Sequence, residues 1–281
     1  LVFLNGDFHM LVKLGRPHKC VSAAAPSAYL GAIIPSTVVD LDATIAASYP
    51  GTGTTWANLA AAPADGAAQT AYDFFLGDGS TGTTYPTFTG TAGNAAAYFS
   101  LDSSDYFALK SGTNTTFLKN LHKSTGGQKA TIILAMRTGS SGYYCGTAPS
   151  SVNGSNHGFY FYKSGSSLYL DQFSATTYGR TSTTVTGNGT DMLVAIAFDV
   201  TAGTIKKASN TRTFTNVVGP SFIASTADAT LSMKIGANGA AATTGGTCRI
   251  YGCYMFNDIL NDTQLGAVVD EINARHGRTY A

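Results

Sequence analysis

Two stretches limit this chain most: Thr131-Ile132-Ile133-Leu134-Ala135-Met136 and Met192-Leu193-Val194-Ala195-Ile196-Ala197-Phe198. Each is the length of a strand, and each would be apolar on both faces, so each must lie centrally in a sheet with something packed on either side. Around them, from Thr37 onward, strand signals recur at short intervals between glycine-rich turns. They cover Ala95 to Leu101, Tyr106 to Leu109, Ala130 to Arg137, Gly158 to Tyr162, Ser167 to Phe173, Met192 to Val200, Leu231 to Ile235 and Cys248 to Phe256. Many short strands punctuated this way predict an all-β, two-sheet antiparallel sandwich or barrel.

Helical periodicity enters only at the end. Asn261 stands where it can cap a helix, Gln264 occupies the capping-box position, and Leu265, Val268, Val269 and Ile272 recur at helical spacing before Gly277. One short C-terminal helix is expected. At the other end, Leu1-Val2-Phe3-Leu4, then Asn5-Gly6-Asp7, then Phe8 to Leu14 reads as a hairpin, because Asn-Gly tolerates positive φ. A lone hairpin is marginal in water, so it must dock on the sandwich or on a neighbouring subunit. Pro17, Pro26 and Pro35 then mark an extended linker. The expected organisation is an arm, residues 1–36, and one large domain, residues 37–281.

Charged residues are 12% of the sequence, against about 25% in an average soluble domain, and the net charge is +1. No basic stripe could neutralise a run of phosphates, so nucleic acid is not an expected partner. No stretch approaches the ~18–20 apolar residues of a membrane span, so a membrane is not expected either. The first residues carry Asp7 and lack a basic leader, and so do not resemble a secretory signal. Cys20, Cys145, Cys248 and Cys253 lack metal-ligand spacing and are expected as buried thiols. Cys248 and Cys253, five apart on one strand, should point to opposite faces.

Acid–base chemistry is thinly represented. Glycoside hydrolysis needs two carboxyl groups, and Glu271 is the only glutamate, placed on the terminal helix as a solvated charge near Arg275. Asp102 and Asp105 are the nearest aspartate pair, and Ser103-Ser104 between them suggests an Asx turn. His9, His18, His122, His157 and His276 make no ligand pair, and no Gly-x-Ser-x-Gly elbow occurs. Gly154-Ser155 and Gly165-Ser166 read as hairpin turns. No catalytic residue, and so no enzyme, is expected. A recognition surface fits better: Tyr143, Tyr144, Tyr160, Tyr162, Tyr169 and Tyr178, with Asn153, Asn156 and Asp171, supply the aromatic faces and amide or carboxyl groups that sugars require. Core packing or subunit contact would also use these aromatics, and along Phe159-Tyr160-Phe161-Tyr162 one pair must point inward and the other outward.

The segment Arg249 to Leu265 resembles the closing strand and capped helix of concanavalin A-like, laminin-G-like jelly rolls. Val38 to Asp42, Thr55 to Leu59 and Tyr98 to Phe107 match the order of that family's earlier strands. The resemblance covers about residues 37–280 and implies a jelly-roll sandwich. It also implies calcium as a conceivable ligand through Asp40, Asp42, Asp73 or Asp78, although exposed turn carboxylates are the simpler reading and no cofactor is otherwise expected. With its arm and Gly/Thr/Ala-rich strands, the chain is similar to domains of tailed-phage structural proteins. That similarity implies a non-catalytic virion component: a head decoration, spike or tail part at the virion surface, assembled in the host cytoplasm. It would be anchored to other virion proteins or to copies of itself through Asn5, Gly6, Phe8, Leu11 and Leu14. The alternative is a carbohydrate-binding or adhesin module recognising surface glycans.

Overall fold

A computed structural model describes residues 29–280 apart from 126–127, 138, 140, 152–155, 175–176, 186–188, 220–221, 224 and 242–247. The hairpin bearing Asn5, Gly6, Phe8, Leu11 and Leu14 lies outside the described residues, as do His9, His18, Cys20, Asn153 and Gly154-Ser155.

In chain order the strands begin with β1 (Thr37–Asp42), β2 (Thr55–Trp56), β3 (Phe74–Leu76), β4 (Thr87–Thr89), β5 (Tyr98–Leu101), β6 (Phe107–Leu109), β7 (Lys129–Arg137) and β8 (Ser141–Gly146). They continue with β9 (Gly158–Ser164), β10 (Ser167–Phe173), β11 (Tyr178–Thr184), β12 (Asp191–Asp199), β13 (Thr204–Ser209), β14 (Thr215–Asn216), β15 (Lys234–Ile235) and β16 (Cys248–Phe256). Two α-helices, α1 (Thr116–Asn120) and α2 (Asp262–His276), complete the described elements with two 3-10 turns. The strands form two eight-stranded antiparallel sheets. The first runs β14-β13-β12-β7-β16-β5-β4, with β1 on the same edge of β16 as β5; the second runs β11-β10-β9-β8-β15-β6-β3-β2. The two apolar stretches are neighbours, β7 and β12, at the centre of the first sheet.

Alternation along these strands separates the two faces. Ile132, Leu134 and Met136 of β7, and Met192, Val194, Ile196 and Phe198 of β12, point into the main core between the sheets. There Trp56 packs on Phe99 and Phe107 with ring centroids 5.0 and 4.7 Å apart, joining the sheets. Ile133, Ala135, Leu193 and Ala195 point the other way and are covered by Leu265, Val268, Val269 and Ile272 of α2. Each such side chain contributes about 1.5–3 kcal/mol by burial. The cap of α2 is reciprocal: Asn261 Oδ1 accepts from the Gln264 N–H at 2.9 Å, while Gln264 Oε1 accepts from the Asn261 N–H at 3.0 Å. Gly277 closes the helix in the left-handed region at φ 56°. Gly165-Ser166 forms the two-residue loop between β9 and β10, with Gly165 at φ 57°. From Tyr29 on, the segment before β1 packs on the sandwich: Leu30 and Ile34 are buried in the cluster under α2.

Cys248 and Cys253 correct the alternation argument. Both face the main core, because the register of β16 shifts between Ile250 and Gly252 and the bulge there restores an inward direction five residues on. With Cys145 they are free thiols, and Cys145 and Cys253 are fully buried.

Candidate functional site

The outer face of the second sheet collects most of the tyrosines singled out in the sequence. Strand register does this in two rows. One sets Gly146, Tyr160, Asp171 and Arg180 side by side across β8, β9, β10 and β11; the next sets Tyr143, Tyr162, Tyr169 and Ser182. Gly146 is required where it stands, since a Cβ there would lie 2.6 Å from the Tyr160 Cβ. The rings touch in sequence. Tyr143 meets Tyr160 and Tyr162 at 5.0 Å each, Tyr160 meets Phe173 at 5.2 Å, and Phe173 stacks on Tyr178 at 5.8 Å with planes 22° apart.

At the middle sits a fully buried carboxylate. Asp171 accepts from the Tyr160 hydroxyl at 2.6 Å and from Arg180 Nε at 2.7 Å, and Arg180 Nη2 reaches its second oxygen to make a fork. Burial, then the hydrogen bond to Asp171, pushes the Tyr160 phenol well above its usual value, so it stays a donor. The bond to Asp171 outweighs desolvation and holds Arg180 firmly charged. The same guanidinium lies over Tyr169 and Tyr178 at 4.9 and 5.6 Å from the ring centres. Tyr178 is 51% exposed and the Arg180 side chain 44%. Tyr160, Asp171, Phe173, Tyr178 and Arg180, with Ser150 and Ser151, line a hollow of about 180 Å³. It presents an exposed ring, a fixed cation and hydroxyls together.

Two of the residues singled out belong elsewhere. Tyr144 is buried in the main core: it follows the outward Tyr143, so alternation points it inward, and the bulge between Tyr143 and Cys145 keeps Cys145 inward beside it. Asn156 is also buried; its Nδ2 donates to the Ser151 carbonyl at 3.2 Å, so it braces the hollow's rim instead of lining it. Phe173, Arg180, Ser150 and Ser151 were not singled out from the sequence. Arg180 was findable as the residue whose pairing completes a charge at Asp171, but only once the β10–β11 register is known.

The four aspartates weighed for calcium are not brought together, and three are not exposed turn residues. Asp40 and Asp42 lie fully buried under α2. Arg275 Nη1 donates to Asp40 at 2.7 Å and approaches Asp42 at 3.4 Å, its Nη2 reaches Asp40 at 3.2 Å, and its Nε donates to Glu271 at 3.0 Å. Asp42 also accepts from the Tyr254 hydroxyl at 2.8 Å and lies 3.3 Å from His276 Nε2. Burial pushes the Asp40 carboxyl up despite Arg275; at Asp42, burial is outweighed by His276, Arg275 and Thr44, which hold it far below the carboxylate range. Asp73 accepts from the Asn58 N–H at 3.0 Å and pairs with Lys110 at 3.8 Å, while Asp78 is exposed and accepts from the Ser80 N–H. No group of three or more potential ligands occurs among the described residues. Glu271 is buried with Arg275 instead of solvated, and Arg275 in turn reaches Asp40 and Asp42 of β1, more than 200 residues away. Asp102 Oδ1 accepts from the Ser104 N–H at 2.8 Å, an Asx turn.

No protein-family model and no curated protein matches the sequence. Solved structures do match. The chain is similar in fold to the binding domains of botulinum neurotoxins. The binding domain of neurotoxin DC in complex with SialylT superposes with a TM-score of 0.55 at 10% identity, covering 85% of this chain and 52% of that one. The same domain in complex with rat synaptotagmin II gives 0.53 at 11%, over 86% and 52%. The serotype D binding domain gives 0.52 at 10%, over 83% and 51%. This chain therefore spans about half the length of those domains, and at such identity the likeness establishes the β-sandwich fold.

Proposed function

We propose that this chain is a non-catalytic carbohydrate-binding module, and that its binding face is the outer surface of β8 to β11. The observation that carries this reading is the convergence of the exposed Tyr178 ring, the anchored Arg180 guanidinium and the Ser150–Ser151 edge on one hollow. An aromatic face excludes water from one side of a sugar ring, and fixed donors at the rim take its hydroxyls. At about 180 Å³ the hollow lies below the ~300–1,000 Å³ of drug-sized ligand clefts, which suits a single sugar ring. Its lining carries one carboxylate, Asp171, held by Tyr160 and Arg180, whereas glycoside hydrolysis calls for two. That the fold neighbours are binding domains, one of them in complex with SialylT, supports recognition over catalysis. The virion role depends on the arm, which lies largely outside the described residues, and gains nothing from these neighbours; glycan recognition takes its place as the main reading.

The test is a glycan array followed by titration of any hit. Tyr178→Ala should weaken binding by about 2 kcal/mol, roughly thirtyfold, as expected for an exposed aromatic anchor. Arg180→Lys should weaken it too while keeping a cation for Asp171, whereas Arg180→Ala would strand a buried carboxylate. A blank array, or hits indifferent to both substitutions, would remove the proposal.

A further inference from the structure

The first sheet carries a feature that the tyrosine face does not explain. Beyond the reach of α2, Arg249 of β16 is the register partner of Arg137 of β7 on one side and of Ser100 of β5 on the other. Two like charges directly opposite on antiparallel strands repel one another. A chain with only 17 lysines and arginines nevertheless sets two guanidiniums there.

The neighbours do not cancel that charge. Asp191 follows Arg137 in the same row and lies 3.8 Å from its Nε, but it is shared: Arg278 Nε donates to it at 3.1 Å and the Tyr251 hydroxyl at 2.7 Å. Arg137 is also tied through Nε to the Gly189 carbonyl at 2.7 Å, one of its five donors. Arg249 makes no ion pair with a described carboxylate. Its guanidinium lies 4.5 Å from the Tyr98 ring centre, a contact that orients the group and leaves its charge uncompensated. Tyr98, Ser100, Arg137 and Arg249, with Gly139 and Gly189, line a cavity of about 410 Å³. This lies within the ~300–1,000 Å³ range of small-molecule sites and is far larger than one inorganic ion.

We propose that this cavity binds a small organic oxyanion, a carboxylate or sulfate group on a molecule of monosaccharide size. The oxyanion sits between Arg137 and Arg249, and the Ser100 hydroxyl is a further donor. An anion there converts a repelling pair into two charge-assisted contacts. The site is independent of the tyrosine face, which lies on the other sheet.

Calorimetric titration of the whole chain with glucuronate, glucose 6-sulfate, glucose and sodium sulfate tests it. Glucuronate or glucose 6-sulfate should bind, the tighter of the two naming the group, while glucose should not. Arg249→Gln should weaken that binding at least tenfold with the melting temperature kept, because it relieves a like-charge contact. Arg137→Gln should do the same, and Ser100→Ala should cost a few-fold. Glucose binding as well as glucuronate would overturn the proposal, as would no binding by either acidic sugar. So would sulfate binding as tightly as the sugars, which means an adventitious ion only, or binding that survives Arg249→Gln and is lost in Tyr178→Ala.

Discussion

Replacing Arg275 by methionine should be among the most damaging single changes in the described structure, because it strands buried acid groups without exposing them. The guanidinium and both aspartate side chains are fully buried, and Glu271 is nearly so. Removing one partner of a buried ion pair costs about 3–5 kcal/mol, most of it the desolvated charge left behind. At about 2–4 °C per kcal/mol for a domain of this size, the melting temperature should fall on the order of 10 °C. The loss should depend on pH. Burial already holds the Asp40 carboxyl above its ordinary value against the pull of Arg275, and without that pull it rises further. A carboxyl whose pKa is raised by folding stabilises fully below its unfolded value, and that contribution is lost as pH climbs through the folded one. The deficit of Arg275→Met should therefore grow between pH 5 and pH 8. Asp42 has the opposite sign: its contribution is present above the unfolded value and is lost only in strong acid, below this window. Urea unfolding followed by the single, buried Trp56 measures both quantities. Adding Asp40→Asn, which keeps an acceptor for the Leu30 N–H now 2.8 Å from Asp40, should recover part of the loss at pH 8. A deficit under about 1 kcal/mol at pH 8, or one equal at both pH values, would refute the reasoning.

Two further outcomes follow from the same elements. Gly252→Ala would place a Cβ 2.1 Å from the Tyr254 hydroxyl, so the ring must move off Asp42, and chemical denaturation should show a loss of about 1–3 kcal/mol. Cys145 and Cys253 are fully buried and burial raises both thiols, so at pH 8 both should resist alkylation in the native protein and react in urea, read by site-resolved mass spectrometry; labelling of Cys253 without denaturant would contradict its packing.

The central strands and the closing helix were legible because their signals are local. An apolar run needs two covered faces wherever it sits, and a capping box is written within four residues. The bulges were not legible. Alternation from the outward Tyr143 already turns Tyr144 into the core, but the extra residue in β8 brings Cys145 in beside it and one in β16 puts Cys248 and Cys253 on the same face, both against strict alternation. β11 (Tyr178–Thr184) is rich in Thr, Ser and Gly and gave no apolar pattern, so Arg180, which completes the hollow, was missed. The Asp40–Asp42–Arg275 cluster joins residues 233 to 235 positions apart, and no periodicity carries that pairing. Their buried state reversed the expectation of exposed turn carboxylates.

The two sheets treat their outer faces differently, and that contrast bears on function. The first sheet buries its outer apolar residues under α2 and the Leu30–Ile34 turn, as a two-layer domain ordinarily does. The second directs aromatic side chains outward on β8 to β11, where Tyr160 and Phe173 are buried with Ala148, Tyr143 and Tyr162 pack beside them, and Tyr178 is half exposed. A sheet that needed only stability would place polar side chains on that face, as alternation permits. Instead the rings are braced against one another and Asp171 is locked in place, so Tyr178 and Arg180 stand exposed on a rigid support. On the binding reading proposed above, the half-exposed Tyr178 ring and the Arg180 guanidinium would meet a ligand already ordered, which lowers the cost of association.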